Sequence, residues 1–232
     1  MKPVTSYFSN VYTNWRQTLS DGRIQTQVII TLALYAFLFK YCRLIMTELE
    51  TRKGTQILDP LLSIIPAHDV SLITFSFTYI TLSLFIIATI IKPKTFIIAM
   101  QAYCFLIIMR TISIYLVPLE PPVGLILLKD PVSFIFMSTP SGGYIVKDLF
   151  FSGHVSTAML FVIICPHQHV KKMLLLFTIL IGTFILIQHV HYTIDVVAAP
   201  FFSFLAYKSS LLVDKVIHKT PETVSSNIRQ KI

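Results

Sequence analysis

Charge is scarce in this chain. Asp, Glu, Lys and Arg make up 13% of its 232 residues, against about 25% in a soluble domain. A mean hydropathy of +0.73 accompanies that scarcity. Together they exclude an ordinary soluble enzyme and point to a polytopic membrane protein. Cysteine is sparse too. Cys42, Cys104 and Cys165 all lie in apolar runs, no CxxC occurs, and an odd number cannot pair fully. They read as buried thiols and do not reveal a redox compartment. Internal repeats and low-complexity tracts are not apparent. No basic n-region leads directly into a short apolar core with a cleavage site, so no signal peptide is assigned. Acidic residues number 11 against 19 basic ones, for a net charge of +8. A nucleic-acid surface would gather the basic residues into one patch. Here they stand at the ends of apolar segments, as membrane topology requires.

Six apolar segments are present, at about 24–46, 70–91, 95–117, 150–166, 172–190 and 192–212. The fold class they predict is all-α, a polytopic six-helix transmembrane bundle with both termini cytoplasmic. Twelve of the Lys and Arg residues fall on the side of the termini, four fall on the other side, and Lys40, Arg43 and Arg110 lie inside spans. The positive-inside rule sets the orientation from that split. Residues 1–23 form a cytoplasmic N-terminal segment whose Tyr7, Tyr12 and Trp15 suit an interface. Residues 24–212 form the membrane domain, and 213–232 a basic cytoplasmic tail. The fourth segment is short for a ~30 Å hydrocarbon core, so its first turn is expected in a site rather than in lipid. The loop 118–149 is oddly apolar. Its runs at 123–128 and 134–137 are too short to span, so they lie in the interface or roof the site.

Two polar stretches interrupt this apolar background. One is Asp148-Leu149-Phe150-Phe151-Ser152-Gly153-His154, and the other is His189-Val190-His191-Tyr192-Thr193-Ile194-Asp195. Each places a histidine beside a long hydrophobic run, where an ionisable side chain is costly. His154 opens the fourth span and His191 the sixth, both at the extracytoplasmic face. Arg110 lies about two turns from the end of the third span on that same face. His191 and Asp195 are four apart and share a helix face. A carboxylate there takes the proton of one imidazole nitrogen and leaves the other as nucleophile or base. Attack on phosphorus would give a phosphohistidine. Ser152 suits an N-cap and Gly153 lets a phosphate approach the backbone of a positive helix end. His154 would serve as general acid. Arg110 offers a planar fork for two phosphate oxygens. No metal or other cofactor is required.

Each residue also has a bland reading. A histidine near a membrane surface is usually structural, and His68, His167, His169 and His218 read that way. His189 lies on another helix face from His191. Asp148 is either a site residue or a simple cap. Arg110 is either an anion clamp or half of a structural ion pair. His189-Val190-His191 lacks further zinc ligands at the usual spacings, although Asp195 and His154 would complete a set.

These residues resemble a known family. Phe151-Ser152-Gly153-His154 before a hydrophobic span, followed by His191-Tyr192-Thr193-Ile194-Asp195-Val196, is similar to the sphingomyelin synthase family, a branch of the type-2 phosphatidic acid phosphatase superfamily. Arg110-Thr111-Ile112-Ser113-Ile114-Tyr115 with Leu119-Glu120-Pro121-Pro122 is similar to the family's third-span motif. Asp59-Pro60-Leu61-Leu62 resembles its first conserved stretch faintly. The resemblance covers about residues 56–210. It implies a catalytic set of His154, His191 and Asp195; from the residues themselves, Arg110, Ser152, Gly153, Asp148 and Tyr192 are expected around the substrate phosphate. It implies transfer of a phospho-headgroup from a glycerophospholipid to ceramide, with release of diacylglycerol. Val146-Lys147 stands where the family often has Cys-Gly, Glu120 where a proline is usual, and Ala198-Ala199-Pro200-Phe201-Phe202 where polar and aromatic residues are usual.

Those departures keep a lipid phosphate phosphatase open, with water as acceptor on the same residues. From a different class, a non-catalytic transporter or lipid-binding protein would use Lys40, Arg43 and Arg110 as a conduit. No pair of broken helices with inverted symmetry is evident. The expected partners are a phospholipid donor, a lipid acceptor such as ceramide, and the bilayer, with no nucleic acid. The sequence leaves the headgroup and the oligomeric state open.

Overall fold

The computed structural model describes residues 4–129 and 145–218. Among them are seven helices: α1 (Val4–Thr18), α2 (Gly22–Thr51), α3 (Ser71–Thr89), α4 (Pro93–Leu116), α5 (Gly153–Ile164), α6 (Gln168–Ile187) and α7 (Thr193–His218). Five of them, α2, α3, α4, α6 and α7, are long and apolar enough to cross a membrane. The expected fourth span at 150–166 is α5, and it has only 12 residues. At 1.5 Å per residue it is about 18 Å long, short of a ~30 Å core. The cause is local. Phe150 and Phe151 take φ of 68° and 49°, left-handed backbone through which a right-handed helix does not pass. Ser152 is extended, and its side chain accepts from Val155 N. At the far end Cys165 is held extended, as suits a residue before Pro166.

The segment 1–23 contains α1, which the apolar runs did not predict. Tyr7 Oη, Asn14 Nδ2 and Trp15 Nε1 donate to the carbonyls of Ile87, Ile91 and Ile90 at 3.0, 2.9 and 2.8 Å. Carbonyls at a helix C-terminus have no intrahelical partner, so α1 closes that end of α3. The boundary expected at residue 213 falls inside α7, which runs on to His218. Residues 219–232 and the run at 134–137 lie outside the described residues.

Lipid tails are as apolar as leucine, so helices in a bilayer gain most where small residues let them approach closely. On α7, Asp195, Ala199, Ser203, Ala206 and Ser210 form one stripe, and all are 0% exposed. Ser203 Oγ reaches Ser156 O of α5 at 2.8 Å. Further down, Phe85 of α3 stacks on Phe161 of α5 at 4.2 Å. The stripe fixes the rotation of α7 and turns Asp195 toward the interior.

Candidate active site

Helix α7 begins at Thr193, so its first N–H groups need partners from outside the helix. Asp195 Oδ2 accepts from Tyr192 N at 3.1 Å, in the manner of the acidic member of a capping box. The same oxygen accepts from His191 Nδ1 at 3.1 Å. One carboxylate therefore starts the helix and orients the imidazole. A carboxylate only accepts, so Nδ1 carries the hydrogen and Nε2 keeps its lone pair. His191 is 3% exposed.

The other polar stretch joins this pair through the backbone, because Ser152 N donates to Asp195 O at 2.9 Å. A Cβ on Gly153 would stand 2.9 Å from Arg110 Cζ and 3.1 Å from its Nε. Only glycine permits that approach. The Arg110 guanidinium donates to the carbonyls of Phe151 and Asp148 and pairs with Asp148 Oδ2. The fork that the sequence offered as a phosphate clamp is thus occupied by the strained 150–151 turn and by Asp148. Burial pushes the Asp148 carboxyl up, but Arg110 and, after it, His191 and His154 hold it below the usual carboxylate range. His154 follows Gly153, with its ring edge-on to Phe75 at 5.8 Å. Asp148 Oδ1 and Asp195 Oδ1 are buried with no hydrogen-bond partner among the described residues.

The turn between α6 and α7 is docked on two loops, 52–70 and 117–129. Gln188 is fully buried. Its Nε2 donates to Ser71 Oγ at 2.8 Å and to Leu127 O at 3.2 Å, and its Oε1 accepts from Val70 N at 3.3 Å. His189 has φ 54°. Its Nδ1 lies 2.8 Å from Val123 O and its Nε2 2.9 Å from Ile65 O. His189 thus braces the loops and stands apart from the His191 pair. Tyr192, expected beside the phosphate, is 1% exposed. Its hydroxyl donates to Glu120 O at 2.9 Å and accepts from Ile57 N at 3.2 Å, which makes it a strut between the loops.

Sequence reasoning missed Gln188 and His189 as braces, because amide and imidazole contacts to loop carbonyls leave no periodic signal. It also missed a compensation. Lys147 Nζ lies 2.8 Å from Glu120 Oε1, so two positions that depart from the family pattern are partners. Lys147 Nζ also donates to Arg52 O at 2.7 Å, and Gly54 N donates to Glu120 Oε1 at 2.8 Å.

The site thus holds a buried imidazole with one open nitrogen, a second histidine at a helix N-terminus, and Asp148 paired with the Arg110 that lies against Gly153. Such a set fits nucleophilic attack with proton transfer to a leaving group. A search of curated proteins gave no match. Residues 147–211, which carry Asp148, Ser152, Gly153, His154, His191 and Asp195, match the family model described as PAP2 superfamily C-terminal, and this match supports the type-2 phosphatidic acid phosphatase superfamily for that part of the chain.

Proposed function

We propose that this chain is a membrane enzyme that breaks the phosphate ester of a lipid through a phosphohistidine on His191. The observation that carries the reading is the buried bond from His191 Nδ1 to Asp195 Oδ2 at 3.1 Å, which leaves Nε2 as the nucleophile. Nε2 attacks phosphorus and the bond from phosphorus to the lipid oxygen breaks. His154 gives its proton to that oxygen, and Asp195 stabilises the charge that develops on the His191 ring. In the second half, an acceptor hydroxyl loses its proton to His154 and attacks phosphorus, and the P–N bond breaks. The first turn of α5, from Gly153 onward, supplies N–H groups and a positive helix end for the phosphate oxygens.

In the finer form of the proposal, the donor is a glycerophospholipid and the acceptor is ceramide or a similar lipid alcohol, with diacylglycerol released. The site faces the extracytoplasmic side and both termini are cytoplasmic. The second reading takes water as acceptor, a lipid phosphate phosphatase. Glu120, Lys147 and the apolar 198–202 stretch favour it, because they replace residues expected beside the headgroup and acceptor.

The experiment is single-turnover incubation of the purified protein in detergent with a phospholipid labelled in its headgroup phosphate. Acid-labile label on the wild type, absent from His191→Ala, is the expected result. Adding ceramide or relying on water then separates transferase from phosphatase by product. No covalent label and no turnover across several donors would overturn the enzymatic reading and favour the transporter or lipid-binding alternative.

A further inference from the structure

Asp59 stands outside the two polar stretches, yet four donors converge on its carboxylate. Oδ1 accepts from Leu61 N at 3.0 Å, Leu62 N at 3.3 Å and Thr193 Oγ1 at 3.0 Å. Oδ2 accepts from Thr193 N at 2.6 Å. The last two bonds join residues 134 apart in sequence. Thr193 is the first residue of α7 and lies two positions after His191. A helix N-terminus normally takes its cap from the residue just before it. That residue is Tyr192, whose side chain has no short acceptor to offer and braces the loops instead. Asp195 covers the Tyr192 N–H, and Asp59 covers the next one. The negative charge also suits the positive end of α7.

We propose that Asp59 is a positioning residue for His191: its ionised carboxylate, delivered from the loop between α2 and α3, caps α7 and fixes the turn that aims the imidazole. The proposal rests on the phosphohistidine reading for its consequence, but the cap itself does not. Both carboxylate oxygens accept, so an amide in their place turns an NH2 toward a donor. Burial pushes the Asp59 carboxyl up, but the Thr193 N–H and hydroxyl, with the Leu62 and Leu61 N–H groups, hold it below its ordinary value. The carboxylate is therefore intact at neutral pH.

The test combines two readouts on the full chain in detergent. One is hydrogen exchange by mass spectrometry over peptides covering 188–198, which needs no lipid. The other is steady-state turnover of a phospholipid donor. Asp59→Asn is expected to speed exchange at 188–198 and leave α3 and α4 unchanged. It is expected to lower kcat roughly ten- to hundredfold with KM little moved, because a small misplacement of a reacting group acts on the chemical step. Thr193→Val, which removes the hydroxyl bond, should show part of the same effect, Thr193→Ser, which keeps it, should show little, and the double variant of Thr193→Val with Asp59→Asn should be no worse than the worse single. Unchanged exchange at 188–198 in Asp59→Asn would overturn the cap, and so would exchange rising throughout the chain. Normal kcat with faster local exchange would overturn the positioning role. A wild type inactive on every lipid, with the local exchange effect present, would sink the phosphohistidine reading and leave the cap standing.

Discussion

Asp195 Oδ2 has two partners, Tyr192 N and His191 Nδ1, so helix start and nucleophile orientation cannot be separated at this residue. Asp195→Asn is expected to cost roughly a thousandfold or more in kcat, since it removes the charge that stabilises the imidazolium and the group that fixes the tautomer. In the proposed reaction His154 protonates the leaving group, and this allows a sharper prediction. With a lipid alkoxide leaving, His154→Ala should lose about 10²–10⁴ in rate. With an aryl phosphate, whose phenoxide needs little protonation, most of that loss should vanish, whereas His191→Ala should stay dead on both. Equal losses on the two substrates would remove His154 from the acid role. Arg110 teaches a different lesson. Its position near the end of the third apolar run was legible, but its use was not, because an arginine fits a phosphate and an Asp equally well. Here it holds Asp148, with side chains 13% and 33% exposed. Arg110→Ala leaves that carboxylate and two loop carbonyls without their donor. It should lower the melting temperature more than the double variant Arg110→Ala/Asp148→Asn does, because an unpaired, partly buried charge is worse than none. A double variant that melts lower than Arg110→Ala would count against the pair.

At the level of elements, the long helices follow from the apolar runs and small adjustments at their ends. The start of α5 does not, because nothing in Phe150-Phe151 announces left-handed backbone; it is imposed by Arg110 gripping the Phe151 carbonyl and by Phe151 stacking on Phe202 at 4.1 Å. Gly153→Ala tests that junction. The added methyl meets the Arg110 guanidinium carbon at 2.9 Å, which is closer than van der Waals contact, so either α5 or Arg110 must move. Activity should fall while helicity measured by far-ultraviolet circular dichroism stays. The two loops form a second unit. Thr55 N donates to Pro118 O at 2.9 Å and Glu120 N to Thr55 O at 3.1 Å, and Lys147 and Asp59 add charged bonds. Lys147 and the Gly54 N–H hold the Glu120 carboxyl below its ordinary value, and Asp59 and Asp148 are depressed likewise. A depressed carboxylate contributes stability that is fully present above its unfolded pKa, about 4, and is lost as pH falls through the lower folded value. Exchange in 52–66 and 117–128 should therefore stay slow from neutral pH down to about pH 4 and rise below it, before the spans respond. Loop exchange that rises well above pH 5 would contradict this ordering.

The whole molecule places its polar chemistry at a depth set by helix lengths. Arg110 lies six residues before the end of α4 at Leu116, about 9 Å along the axis, and α5 begins beside it rather than level with that helix end. The site is therefore recessed under the two docked loops. Sequence alone brought His154, His191 and Arg110 to one end of the bundle, because alternating spans fix which ends coincide. It could not supply the Ser152 to Asp195 bond, the Asp59 cap or the brace at His189, which depend on loop paths without periodicity. The side on which that end lies is a separate question, for which charge gives an expectation. The basic residues favour the α1 end as cytoplasmic, so the loop carrying Ser63 should be outside and the loop before α6 inside. In a variant with Cys42, Cys104 and Cys165 replaced by alanine, a cysteine at Ser63 should react with a membrane-impermeant maleimide in intact cells, and one at His167 only after permeabilisation. The reverse pattern would invert the protein and put the site on the cytoplasmic leaflet. Labelling of both from outside would break the alternation of spans on which the shared depth of His154 and His191 depends.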